Sequence, residues 1–173
     1  MSAELSPPFS TPSRLRRFAG MMYEGVLLFG IVFAAGYLFD TLTESHDGNM
    51  FRPARQLLLF AAIGVYFLAC WRGGQTLPMK TWDIRLVARD GSRPTMGRLL
   101  LRYLLMWPVP LAAALLVKGA SMLTGYTSTG LLIVFAPFCN FIWTWFDRDG
   151  QFLHDRLTGT RLIDFKQPSR KSG

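Results

Sequence analysis

The sequence predicts an all-α membrane protein: a four-transmembrane-helix bundle with a small cytoplasmic β-ribbon. Three observations lead there. Half of the 173 residues are hydrophobic and 17% are charged, against roughly 25% charged in an ordinary soluble domain. The apolar residues are gathered into four long blocks. The net charge of +8 lies almost wholly between those blocks. The length suits one domain, and the composition excludes a disordered chain, a disulfide scaffold and a typical soluble enzyme.

The first span runs over about 18–39, with Glu24 as its single charge. A helix of that length rises about 33 Å, enough for a hydrocarbon core of roughly 30 Å. Val32, Phe33 and Ala34 would pass as a signal-peptide cleavage site, but the block is too long and contains Glu24, so an uncleaved span is expected. The second span, 57–71, is short; Gln56 and the snorkelling stems of Arg55 and Arg72 extend it. The third, 99–117, contains Arg102, Pro108 and Pro110, and the fourth, 130–146, contains Pro137 and Asn140. Proline lacks the backbone donor and kinks or breaks a helix, which a membrane tolerates when neighbours satisfy the freed groups. A packing kink is the ordinary reading; a broken helix beside a binding site is the functional one. Residues 1–13, rich in Ser and Pro, read as a flexible tail. The membrane domain is placed at 14–165, and 166–173 form a basic tail.

Orientation follows from the basic residues. With four spans and both termini inside, sixteen Lys and Arg fall on the cytoplasmic side and three outside, which sets both termini in the cytoplasm. The same bias explains the pI near 10.1, so no nucleic-acid partner is expected. The basic face should instead meet anionic lipid headgroups, at about 1 kcal/mol per residue near the surface. Cys70 and Cys139 lie inside apolar blocks and read as small hydrophobes.

Between spans two and three, residues 82–87 alternate in part and Asp90-Gly91 signals a turn. Thr95 is a candidate N-cap for a helix entering span three, on which Arg98 and Arg102, four apart, share a face. Thr160 to Phe165 forms a second short strand, and the two strands are expected to pair as a cytoplasmic ribbon.

Glu24 is the most informative side chain. It lies seven residues after Arg17, about 10 Å deeper on roughly the same helical face. A carboxylate there should face the bundle or water with a partner; candidates are Arg17, Arg98, Arg102, Asn140 and Thr144. A proton- or cation-linked carboxylate and a structural anchor are level readings. Asp147-Arg148-Asp149-Gly150 echoes a calcium loop, but Phe152 and Thr158 stand where glycine and glutamate are needed. His154 has no second histidine on its side, His46 being assigned to the other face, so no metal or cofactor is expected. No phosphate loop or nucleophile elbow is present, and an enzyme is not expected. Gly30 and Ala34 allow close helix packing in span one.

Together these pieces resemble the RDD family of bacterial membrane proteins, named for one arginine and two aspartates. Arg17 matches the arginine opening the first helix, and Glu24 stands where an aspartate is usual. Gly74-Gln75-Thr76-Leu77 and the stretch from Ile84 to Gly91 look like the family's loop, with Pro78 where a glycine often follows. Asp155, in His154-Asp155-Arg156-Leu157-Thr158-Gly159-Thr160, matches the second aspartate. The resemblance covers residues 14–165. It implies an integral protein of the bacterial inner membrane of unassigned molecular function, with transport of a small solute or ion as one activity. Four spans form a thin wall for a pathway, so transport would call for a homo-oligomer. The competing reading is a non-transporting accessory protein that docks a membrane-protein partner through its basic loop. Arg17 and Asp155 are expected to meet as an interfacial ion pair, with Glu24 deeper and Arg98, Arg102, Asn140 and His154 in support.

Overall fold

Ser13 starts the first helix: its hydroxyl accepts from the Arg16 N–H at 3.4 Å, satisfying one donor of the first turn. Helix α1 then runs over Arg14–Leu42, past both ends of the apolar block. Asp40 and Thr41 are weaker helix formers than leucine, but Asp40 pairs with Arg55 at 3.1 Å and the Thr41 hydroxyl donates to Tyr37 O at 2.8 Å. A computed structural model describes residues 10–44, 51–125 and 127–165. Residues 1–9 of the expected flexible tail, the basic tail at 166–173 and His46 lie outside the described residues. Residues 10 and 11 are tied down: Asp164 N–H donates to Ser10 O at 2.9 Å, and Gln151 Nε2 donates to Thr11 Oγ1 at 3.1 Å.

Helix α2 spans Arg52–Arg72 and the short α3 Leu77–Thr81. Strand β1 follows at Ile84–Ala88, then α4 at Met96–Leu105 and α5 at Pro108–Thr124. A 3₁₀ stretch, Thr127–Phe138, leads into α6, Cys139–Phe146. Helix α7, Leu153–Thr158, and strand β2, Thr160–Asp164, complete the described chain. Among the described residues three stretches, Arg14–Leu42, Arg52–Thr81 and Met96–Thr124, are long and apolar enough to cross a membrane, and Gly130–Phe146 is shorter.

The prolines act where the sequence placed them, and they do more than kink. Pro108 stands at the start of α5, where a missing N–H is no loss. Its ring ends α4 at Leu105, and the Leu104 carbonyl is recovered by Trp107 N–H at 3.4 Å. Pro110 removes the donor that would have served Met106 O; Asn140 Nδ2 supplies it from α6 at 2.9 Å. In the fourth block Pro137 bars an α-helix from running through. The expected bent helix over 130–146 is therefore 3₁₀ up to Phe138 and α-helical only beyond it.

The ribbon forms as read. Strands β1 and β2 pair antiparallel with Leu86 opposite Leu162. Trp82 falls before the strand, because Asp83 takes a positive φ of 51° and turns the chain. Asp90 and Gly91 make the turn, Gly91 at φ +84°. Thr95 sits at the N-cap of α4, but its side chain makes no capping bond. Pro78 lies in the first turn of α3, a position its fixed φ suits.

Burial is concentrated at one end, where α1 begins and α2 ends (the proximal end). Phe67, Trp71, Leu99 and Tyr103 pack there with Leu86 and Leu162 of the ribbon and with Phe152. Phe67 and Trp71 stack with ring centroids 4.6 Å apart. Gly64 admits the Tyr103 ring, whose Cε1 would lie 3.1 Å from an added Cβ, and the Tyr103 hydroxyl donates to Phe60 O at 2.6 Å. Helix α5, in contrast, has no buried residue.

Candidate functional site

The three arginines that open α1 reach three different parts of the proximal end. Arg14 Nη2 donates to Thr144 O of α6 at 3.5 Å. Arg16 pairs with Asp164 of β2 at 2.8 Å and also donates to Trp82 O. Arg17, 3% exposed, donates to Gly150 O and lies over the Phe152 ring at 5.5 Å. Cations in a helix's first turn oppose its macrodipole, so these residues are held by what they fasten, not by α1 itself. Gly150 adopts φ +62°, and an added Cβ would lie 3.4 Å from Arg17 Nη2.

Asp155, fully buried, takes a different partner from the one expected. Arg102 Nε meets Asp155 Oδ1 at 2.6 Å, and the Arg102 guanidinium lies over the Trp71 ring at 4.1 Å. Thr160 Oγ1 donates to the same carboxylate oxygen at 2.9 Å. The Arg17–Asp155 ion pair is not formed: Arg17 is spent on the Gly150 carbonyl, and the arginine on α4 is the one directed into the α7 contact. Burial pushes the Asp155 carboxyl up, but the charge of Arg102 with hydrogen bonds from Arg102 and Thr160 outweighs it and holds the group below the usual range. His154 stacks on Phe152 at 5.3 Å, the rings 7° from parallel. Burial and the like charge of Arg102 push its imidazole down to about 4, against the pull of Asp155. Its Nε2 stands 3.9 Å from Asp155 Oδ2, too far for a hydrogen bond.

Glu24 is half-buried near the proximal end. Tyr66 OH donates to its Oε1 at 2.5 Å and Thr76 Oγ1 to its Oε2 at 2.6 Å. Neither residue was among the expected partners, and none of those bonds Glu24. Thr76 arrives because the chain after α2 folds back: Gly74, at φ +85°, turns it, and Thr76 caps α3 by accepting from Met79 N–H at 3.3 Å. One hydroxyl thus accepts from a helix and donates to a carboxylate, as its single proton and two lone pairs allow. The carboxylate carries no ion pair within 4.0 Å among the described residues.

Asp147, weighed from the sequence only for calcium, and Gln151, given no role there, organise the loop after α6. Asp147 Oδ2 accepts from the backbone N–H of Asp149 at 3.2 Å and of Gln151 at 2.8 Å, while Arg156 donates to its Oδ1. This is an Asx-type turn, and the faint calcium-loop echo was its only sequence signal. Gln151 pairs with Leu162 through both amide atoms: its Nε2 donates to Leu162 O at 3.2 Å and its Oε1 accepts from Leu162 N–H at 2.9 Å. Among the described residues no group of three or more His, Cys, Asp or Glu is placed to hold a metal ion.

The family model that matches residues 11–159 is that of the RDD family. The chain belongs to the RDD family. Neither among curated proteins nor among solved structures does the chain have a match. In this RDD protein the arginine Arg17, the carboxylate Glu24 and the aspartate Asp155 all lie toward the proximal end, each with its own partners. The Gly-Gln-Thr segment is tied to the first carboxylate through Thr76, and α4 to the second through Arg102. Arg98 is exposed, so it does not share the buried face of Arg102. Asn140 serves the backbone of the broken third block, and Thr144 donates to Phe141 O at 2.7 Å. A Cβ on Gly30 would meet nothing within 4 Å, and Ala34 is exposed; the close packing that the pair allows is not made among the described residues.

Proposed function

We propose that this RDD protein is a four-span protein of the bacterial inner membrane, with both termini cytoplasmic, that moves a small ion or solute as a homo-oligomer. The observation that carries the reading is Glu24: an ionisable group in the first apolar helix, contacted by two neutral hydroxyls instead of a cation. An intramembrane carboxylate so placed can take up a proton or a small cation by rearranging two hydroxyl donors, without breaking an ion pair. The reading is of a non-enzymatic protein with no cofactor.

The fourth span is supported by geometry. A 3₁₀ helix rises about 2.0 Å per residue and an α-helix 1.5 Å, so Thr127–Phe146 extends about 36 Å. Its α6 end lies beside the start of α1, where Phe18 meets Phe138 and Phe141 at 5.8 and 5.7 Å. The orientation rests on the basic residues, which cluster at the proximal end and its loops. The oligomer rests on α5, none of whose residues is fully buried within one chain.

The test is flux. The purified chain in liposomes is expected to pass protons, monovalent cations or a small solute, with Glu24→Gln at least tenfold slower and equally well folded. No flux from folded wild-type protein overturns the transport reading. The basic ribbon favours a second reading, an accessory protein that docks a membrane-protein partner; one stoichiometric partner on purification, without flux, supports it.

A further inference from the structure

The outer edge of β1 carries a cleft that neither the Glu24 site nor the Asp155 network uses. Two straps hold that edge. Leu86 N–H donates to Gly74 O at 2.8 Å, and Ala88 N–H donates to Ser92 O at 2.9 Å. Between the straps lies a cavity of about 370 Å³ lined by Arg85, Arg93 and the glycine turns on either side. That volume is within the range of about 300–1,000 Å³ typical of small-ligand sites.

Its charge is one-sided. Arg85 is positioned: its guanidinium lies over the Phe165 ring at 4.3 Å, and its Nε approaches within 3.3 Å of where a Gly74 Cβ would stand. Gly74 is therefore needed twice, for φ +85° and for that approach. Neither Arg85 nor Arg93 has a carboxylate within 4.0 Å among the described residues. Asp90 of the neighbouring turn has its Oδ1 taken by the Ser92 N–H at 3.0 Å and hydroxyl at 2.7 Å. Exposed Arg72 ends α2 one residue before the cleft begins. The cleft thus stands where a candidate span gives way to the ribbon.

We infer that this cleft binds a phosphate-bearing anion between Arg85 and Arg93. A guanidinium pairs with phosphate oxygens through parallel N–H donors, and two of them with no counter-charge are matched to a mono- or dianion. The phosphate belongs to a lipid headgroup or to a soluble phosphate compound. The site stands apart from Glu24 and does not depend on flux.

The test uses the full chain in neutral detergent, titrated with short-chain phosphatidylglycerol, with phosphatidylcholine and with inorganic phosphate. Binding is read by native mass spectrometry and by phosphorus NMR linewidth. Arg93→Gln, in an exposed turn, is expected to weaken binding about fivefold, the worth of one basic residue at an anionic headgroup. Arg85→Gln combined with it is expected to reach about 25-fold. Arg98→Gln, an exposed arginine that does not line the cleft, should change binding less than about twofold. Should loss of Arg85 unsettle the ribbon through Phe165, the melting temperature will show it, and Arg93→Gln carries the test alone. Preference for phosphatidylglycerol over phosphatidylcholine identifies the headgroup source, and binding of inorganic phosphate alone identifies the soluble one. If neither probe binds, or if Arg98→Gln weakens binding as much as Arg93→Gln, the site is overturned.

Discussion

Leu99 and Leu123 lie on the two consecutive helices of the third apolar block, one on each side of the break at Pro108. The first is 1% exposed and the second 90%. Leu99 faces an interior like that of a soluble domain, with Trp71 and Tyr103 in the same cluster. Leu123 is almost wholly uncovered, and although α5 lies against the 3₁₀ stretch and α6, none of its residues is fully buried. A helix apolar on every side is suited to lipid. Lipid tails are as apolar as leucine and supply no hydrophobic drive for helices to associate. Tertiary structure in this chain is therefore written where water, ribbon and arginines are available, and the apolar shafts follow from it.

The largest test of that contrast is the buried ion pair. Arg102→Ala strips Asp155 of its charge partner and should cost about 3–5 kcal/mol. A double-mutant cycle with Asp155→Ala, measured by thermal melting in detergent, should show strong coupling. The cycle of Arg17→Ala with Asp155→Ala should show much less; equal coupling in both would mean that the aspartate is shared. Next in size, Leu99→Ala should lose about 2–5 kcal/mol, whereas Leu123→Ala should stay within about 0.5 kcal/mol. Similar losses at the two positions would erase the distinction between the ends.

A smaller effect comes from His154, again confined to the proximal end. Its folded value of about 4 lies below its ordinary 6.5, so the unfolded chain binds the extra proton between those values. Stability is therefore lost as pH falls from 6.5 toward 4, by about 2 kcal/mol at pH 5. The Asp155 contribution, with a depressed folded value, is lost only at still lower pH. His154→Gln should flatten the melting-temperature profile between pH 7 and 5, and an unchanged slope would remove histidine from the account. The smallest contrast concerns two glycines. Gly64→Ala puts a Cβ 3.1 Å from Tyr103 Cε1, and crowding of about 1–3 kcal/mol, less nearly 1 of helix propensity, leaves a net loss of about 1. Gly30→Ala meets nothing and should gain about 0.5–1 kcal/mol.

Much of the fold was legible because it is local. Blocks of apolar residues mark helices by length alone, an Asp-Gly pair marks a turn, and a partly alternating stretch at 82–87 with a second short strand at 160–165 marks a ribbon. Pro108 and Pro137 interrupt helices for reasons contained in the residue itself. The site was legible only by type. Glu24 was singled out as a charge too costly to leave unpartnered, Arg17 and Asp155 by the family resemblance and Arg102 as a candidate partner of Glu24, but the pairs were not. Arg102 meets Asp155 across 53 residues, and Glu24 meets Tyr66 and Thr76 across 42 and 52. Tyr66 carries no sequence mark beyond a hydroxyl inside an apolar block, and Thr76 reaches the carboxylate only because Gly74 turns the chain back. Asp147 was weighed as a calcium ligand and proves to be the hub of a turn.

The sequence by itself determined the membrane character, the ribbon, the breaks and the charges that must be answered. Each follows from composition or from a short window of chain. Tertiary structure alone decided which donor answers which acceptor: Asn140 for the carbonyl freed by Pro110, Arg102 for Asp155, and two hydroxyls for Glu24. The reason is that a buried polar group is indifferent to how far along the chain its partner lies. It requires only a donor within about 3 Å, and packing of the proximal end selects which side chain arrives there.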